Sequence, residues 1–298
     1  MDLYQKLMYL TGHEMVVRKV DDLGYQTFKY HRKVFFNNFW HLDDTLLEAR
    51  GIVFDKNNKI AQRPFLKIFN LGENGHDLYD TDYYLVSEKI NGFMGAVSAQ
   101  PDESVLYSTT GTTTSDYVGL IKKHVNRENE DMIRAYPEYT FLFEICDETD
   151  PHIVEEESGA WLIGARHKES GKMMPLGDLA KIAMAGGFKY KRPFHLSGLE
   201  LRERAKATKG EGYVVYRGDG IEPVLKIKSP HYLSKKALMR MGRNSVNTMY
   251  DHPQKFLQRL DEEFYDLFRW ILDNYSKEQW AALSEQERRT VLEEYFDE

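Results

Sequence analysis

The residues able to do chemistry in this sequence are charged ones: Arg50, Lys89, Glu144, Glu211, Lys226 and Lys228. Lys89 opens the tetrad Lys89-Ile90-Asn91-Gly92, which Ser87 and Glu88 separate from the apolar run 83–86. A lysine at the lip of a strand, followed by a glycine turn, is placed to act as a nucleophile. A free lysine titrates at about 10.4, so it needs cationic neighbours or desolvation to lose its proton. The tetrad alone carries little weight, because residues 168–171 and 209–212 also read Lys-x-x-Gly.

The other charges supply the context. Arg50 stands at the mouth of the apolar run 51–54. Its guanidinium suits a surface ion pair or a phosphate fork. In 139–145, period two puts Phe141, Phe143 and Ile145 on one face and Leu142 and Glu144 on the other. A carboxylate in that setting is either paired or working. Glu211 stands at the entrance to the strand that follows Gly212. Within 224–228, Lys226 and Lys228 share one face and Leu225 and Ile227 the other. Two neighbouring lysines in a buried hairpin repel, and a strong anion such as phosphate would relieve them. Lys67 is flanked by apolar residues in 64–70, and lysines seldom bury without a partner. Core packing is the default for Phe65 and Phe69 in that segment.

These side chains need a frame of strands. Alternating or apolar runs predict strands at 25–30, 51–54, 83–86, 105–111, 139–145, 161–166, 212–216 and 224–228, with another near Val97. Hairpin turns are expected at 55–58, 167–172 and 219–220. The second of these puts Lys168 in a turn and removes it as a nucleophile. Helical spacing predicts helices at 116–136, 175–186, 199–207 and 232–243. Beyond Arg243 come capped helices with an aromatic stripe, Phe256, Phe264, Phe268, Trp270, Trp280 and Phe296. Such a stripe is the core of a small helical unit. The expected division is therefore 1–243 and 244–298.

Composition narrows the class. The chain has 298 residues, 42% hydrophobic and 29% charged, as a soluble protein does. Its one cysteine, Cys146, excludes an intrachain disulfide and suits a reducing cytoplasm. The N-terminus has no signal-peptide pattern, and no apolar run reaches the ~20 residues of a membrane helix. The net charge of −7 sits in residues 245–298, which hold six Lys+Arg and thirteen Asp+Glu. The first 244 residues are neutral and leave room for a local basic groove.

Taken in order, Ala-Arg50-Gly-Ile-Val-Phe, Lys67-Ile-Phe69-Asn, Lys89-Ile-Asn-Gly92, Phe-Glu144, Glu211-Gly-Tyr-Val and Leu-Lys226-Ile-Lys228-Ser resemble the covalent nucleotidyltransferases. The chain most resembles ATP-dependent RNA ligases of the phage RNA ligase 1 family, from Arg50 to Lys228. The resemblance implies an α+β adenylation domain of antiparallel sheets with flanking helices, followed here by a small all-helical domain. It implies that Lys89 forms a lysyl-adenylate from ATP, which passes to an RNA 5′-phosphate before a 3′-hydroxyl displaces AMP. Arg50, Lys67, Phe69, Gly92, Glu144, Glu211, Lys226 and Lys228 would bind the nucleotide, with Glu211 and the two lysines also catalytic. Phe69 would either stack on the base or stay in the core. Glu144 and Glu211 would hold Mg2+ or Mn2+ directly or through water, or bind the ribose. Lys226 and Lys228 would lower the pKa of Lys89 by repulsion. RNA with 5′-phosphate and 3′-hydroxyl ends, such as nicked tRNA, would be the partner of a monomer in the cytoplasm (the host's, if phage-encoded). The alternatives are a DNA ligase, a capping guanylyltransferase or an inert nucleic-acid-binding relative. Two positions depart from the pattern: Asn91 replaces the usual Asp, and Thr110 precedes Gly111 where relatives often carry a basic residue.

Overall fold

The computed structural model describes residues 1–260 and 264–297, with side chains as far as Tyr295. The first four strands, β1 (Val16–Val20), β2 (Gln26–Tyr30), β3 (Arg50–Phe54) and β4 (Ile60–Gln62), form an antiparallel sheet in that order. Asp55 makes the expected β3–β4 turn, its Oδ1 accepting from the Asn57 and Lys59 amides. Helix Leu3–Gly12 packs Leu7 and Leu10 into a core with Phe28, Trp40 and Ile52.

Next come β5 (Tyr83–Glu88), β6 (Phe93–Ala99), β7 (Val105–Thr109), β8 (Tyr139–Cys146) and β9 (Gly159–His167). Then follow β10 (Phe194–Ser197), β11 (Gly212–Tyr216) and β12 (Pro223–Lys228). They make two further antiparallel sheets, ordered β10-β5-β11-β12 and β7-β6-β8-β9. Consecutive strands β5 and β6 lie in different sheets, so the tetrad at 89–92 is the strap between them. The alternation read in β8 holds: Phe141, Phe143 and Ile145 enter one core, and Leu142 packs with Phe65 and Met173 on the other face.

One expected helix is two. Residues 116–136 divide into Asp116–His124 and Arg127–Arg134. Val125 is extended, with φ −90° and ψ 103°, and Asn126 caps the second helix through a capping box with Asn129. An asparagine side chain satisfies the orphan amides of a helix start better than it serves a helix interior.

The C-terminal helices run from Pro230–Met239 to Glu285–Asp297. Phe256, Phe264, Phe268 and Trp280 are buried in one cluster, joined by Tyr232 and Leu238 and, from the main body, by Ile153. Trp270 departs from the expected stripe and is 37% exposed. The Phe296 side chain lies outside the described residues. Among the described residues no helix is long and apolar enough to cross a membrane.

Candidate active site

Strand pairing brings distant charges to one place. β5 and β11 are antiparallel with Glu88 opposite Tyr213, and the Lys89 amide donates to the Gly212 carbonyl at 2.9 Å. On the other side of β11, Lys228 lies opposite Gly212 and Lys226 opposite Val214. Three adjacent strands thus carry Lys89, Glu211 and the lysine pair. In the neighbouring sheet, Glu144 of β8 lies opposite Met94 of β6.

Glu211 is 2% exposed and bridges the cations. Its Oε2 receives Lys89 Nζ at 2.8 Å and its Oε1 receives Lys228 Nζ at 3.0 Å. Asn91 Nδ2 donates to the same Oε2 at 2.8 Å, while its Oδ1 accepts from the Val154 amide at 2.8 Å. An aspartate could accept from Val154 but could not donate to Glu211, so asparagine is the residue this contact requires. Gly92 ties the strap to the other sheet, its amide donating to Glu144 Oε1 at 3.1 Å. Its glycine is needed for close approach: a Cβ there would collide with the Ile145 carbonyl oxygen.

Between the sheets lies a pocket of about 290 Å3. Arg50, Glu88, Lys89, Glu144 and Lys226 supply its charge, and Phe65, Ile68, Met94, Ile163 and Val214 line its apolar wall. A polar end beside an apolar slot suits a phosphorylated heterocycle. Gly51 lets the strand of Arg50 reach this pocket: its φ is 94°, and a Cβ would lie 2.7 Å from Thr110 Cα.

Two predicted residues, Phe69 and Lys67, adjoin the pocket from the N-terminal core, the Lys226 amide donating to the Phe69 carbonyl at 2.9 Å. Phe69 is 6% exposed, packed on Trp40 and stacked on His76, so it belongs to the N-terminal core. Lys67 Nζ stands 4.6 Å from the Phe69 ring centre and 3.4 Å from Glu73, close enough to Arg50 and Lys226 to act on both charges. Phe65, four residues before Phe69, is the phenylalanine that lines the pocket. Sequence reasoning left Phe65 in the core and singled out none of Ile68, Met94 and Ile163, since nothing in an apolar residue type says that its outer face meets a ligand.

The electrostatics reverse one expectation. Burial pushes Lys89 down, but Glu144 and Glu211 outweigh it and hold its pKa above the ordinary lysine value. The depressed amine is Lys226, pushed down to about 7 by burial and then by Arg50, Lys67, Lys89 and Lys228. Burial raises Glu144 above the usual carboxylate range despite Lys89, and Glu211 adds to the rise. Burial opposes ionisation of Glu211, yet Lys89 and Lys228 hold it low. Burial and the cationic crowd thus decide Lys226, while the carboxylates Glu144 and Glu211 decide Lys89.

Replacing Asn91 with aspartate (Asn91→Asp) tests the clamp. The change removes a buried hydrogen bond and sets two carboxylates together. It should destabilise the fold by about 1–3 kcal/mol in urea titrations. Unchanged stability would mean that the Asn91–Glu211 contact contributes nothing.

Among the described residues no group of three or more His, Cys, Asp or Glu side chains is arranged to hold a metal. Both Glu211 oxygens are taken by lysines. Glu144 lines the pocket and accepts from Gly92. That donor set fits a Mg2+-like ion held by one carboxylate and a substrate's phosphates.

A family model described as RNA ligase matches residues 48–233, more than half of the chain. Among solved structures, an archaeal ATP-dependent RNA ligase is similar with TM-score 0.58 and 15% identity, over 97% of this chain and 75% of that one. A putative ATP-dependent DNA ligase from Aquifex aeolicus gives TM-score 0.54 and 14% identity, over 98% of this chain and 75% of that one. At these identities the structural likeness concerns the fold alone.

Proposed function

The chain belongs to the RNA ligase family, and from that premise we propose that it seals RNA 5′-phosphate and 3′-hydroxyl ends with ATP, as in repair of nicked tRNA. The observation that carries this reading is Lys89, held by Glu211 at 2.8 Å and lining one pocket with Arg50, Glu144 and Lys226. Lys89 Nζ attacks the α-phosphorus of ATP. An N–P bond forms, the bond to the bridging oxygen breaks, and pyrophosphate leaves. An RNA 5′-phosphate oxygen then displaces the lysine and takes up AMP. The 3′-hydroxyl attacks that 5′-phosphorus, closing the phosphodiester and releasing AMP.

Each side chain has a share. The Glu211 bridge holds Lys89 and Lys228 at the reacting end. Lys226 and Arg50 would meet phosphate oxygens and stabilise the charge that develops on them. The slot of Phe65, Met94 and Ile163 would take the base. Glu144 would hold a divalent cation together with the nucleotide, and the ion would neutralise phosphate charge as the amine approaches. Lys89 is an ammonium before nucleotide binds, so its proton must leave after ATP arrives.

Protein incubated with magnesium and α-labelled ATP should become covalently labelled, and GTP should not substitute. Absence of label with ATP would overturn the reading.

Lys226 makes ATP binding pH-dependent. A phosphate beside it favours its charged form and raises its pKa from about 7. Binding therefore takes up a proton, and affinity should fall as pH rises above about 7. Calorimetry on Lys89→Met, which has no Lys89 proton to lose, at pH about 8 in buffers of different ionisation enthalpy should show this uptake. Proton release, or no exchange, would remove Lys226 from phosphate binding.

A further inference from the structure

A second groove, of about 550 Å3, lies on the N-terminal sheet. Lys19, Lys29 and Arg32 line it, all exposed, and no Asp or Glu is among its lining residues. Beside them stand Phe36, 75% exposed, and Phe35, 49% exposed. Their rings meet edge to face with centres 5.7 Å apart. Adjacent exposed phenylalanines next to cations contribute little to a core. They suit a ligand that is flat and anionic in alternation. Thr27 also lines the groove, 2% exposed, and its hydroxyl has no hydrogen-bond partner among the described residues.

The groove adjoins the nucleotide pocket. Gly111 lines the groove and Thr110 the pocket. Lys29 of the groove lies opposite Arg50 of the pocket in the β2–β3 ladder. A chain with its end at Lys89 therefore has a basic, aromatic path leading away. The groove-lining residues up to Phe36 precede the matched stretch 48–233.

We propose that this groove binds the single-stranded RNA arm next to the end being joined. Lys29 and Arg32 take backbone phosphates, and Phe35 and Phe36 stack bases. The inference rests on the ligase reading for its substrate.

The test separates RNA binding from adenylation. Anisotropy with a short 5′-phosphorylated single-stranded RNA is measured against salt, and ATP self-labelling is followed in parallel. Phe36→Ala should weaken RNA binding about tenfold. The double change Lys29→Ala with Arg32→Ala should lower the slope of log affinity against log salt by about 1.4. Both variants should self-label from ATP at the wild-type rate. Wild-type RNA affinity and slope in both variants would overturn the proposal. So would a fall in self-labelling parallel to the fall in RNA affinity, which would assign the groove to the nucleotide's outer phosphates. If wild-type protein does not self-label while the variants lose RNA affinity, the ligase reading falls and the groove stands.

Discussion

Lys89→Met should abolish covalent attachment of AMP, on the order of 10^4-fold or more in rate, while the protein stays folded and still binds ATP. Folding should survive because Glu211 keeps Lys228 at 3.0 Å and the Asn91 amide at 2.8 Å. Its charge is then still compensated. ATP binding should survive because Arg50, Glu144 and Lys226 remain around the pocket. Lys89→Arg makes the sharper comparison: it keeps a cation against Glu211 but offers no nucleophilic amine at accessible pH. Both variants should give an unshifted intact mass after incubation with ATP, and ATP should still raise their melting temperatures. A covalent adduct on Lys89→Met would take the nucleophile away from this position.

Glu211→Ala should damage both stability and chemistry. Its carboxylate is almost fully buried and neutralises Lys89 and Lys228 together. Removing one member of a buried charged cluster costs about 3–5 kcal/mol, because the partners are left uncompensated. Here two lysines would face a third cation, Lys226, whose pKa is already pushed down to about 7. Urea unfolding at neutral pH should show that loss. Adenylation should fall about 10^2- to 10^3-fold, since Lys89 loses the contact that aims it. Glu211→Gln keeps the shape and should fall between. The pH dependence has a definite sign. Glu211 is held below its ordinary value when folded, so its stabilisation is present above the unfolded pKa and is lost as pH falls through the folded one. Wild-type stability should therefore converge on that of Glu211→Ala in acid. A gap between the two proteins that stays constant from neutral to acid pH would show that the bridge is not electrostatic.

The two results report different links of the same arrangement. Lys89→Met removes the reacting atom and leaves its surroundings. Glu211→Ala leaves the atom and removes what holds it. A nucleophile that is ion-paired before its substrate arrives is stable but unreactive. The nucleotide must therefore change the charge balance around it. Lys226, near its titration point at neutral pH, is the group in the pocket most able to respond.

Much of this was legible in the order of residues. Side chains alternate along a strand by covalent geometry. The placing of Glu144 opposite the face of Phe141 and Phe143, and of Lys226 and Lys228 together, therefore needed no coordinates. Asp55 at a hairpin turn is likewise local chemistry, a side-chain oxygen meeting nearby amides. The hairpin from Gly212 to Lys228 was readable because its turn and both its strands are contiguous.

The tertiary structure decided whatever depends on distance through space. Glu211 lies 122 positions from Lys89 in the chain and 2.8 Å away in the fold. No local pattern announces that the carboxylate, rather than a lysine, touches the amine. The direction of the Lys89 shift followed from Glu144 and from that contact, and not from the number of cations nearby. Phe65 lines the pocket and Phe69 the core, although both are phenylalanines of one short segment. Which ring meets the pocket depends on how three separate sheets come together, and that packing is written in no single stretch of sequence. Asn91 shows both halves at once. Its type is plain in the sequence, but its reason, a donor to Glu211 and an acceptor for Val154, exists only once strands and loop have met.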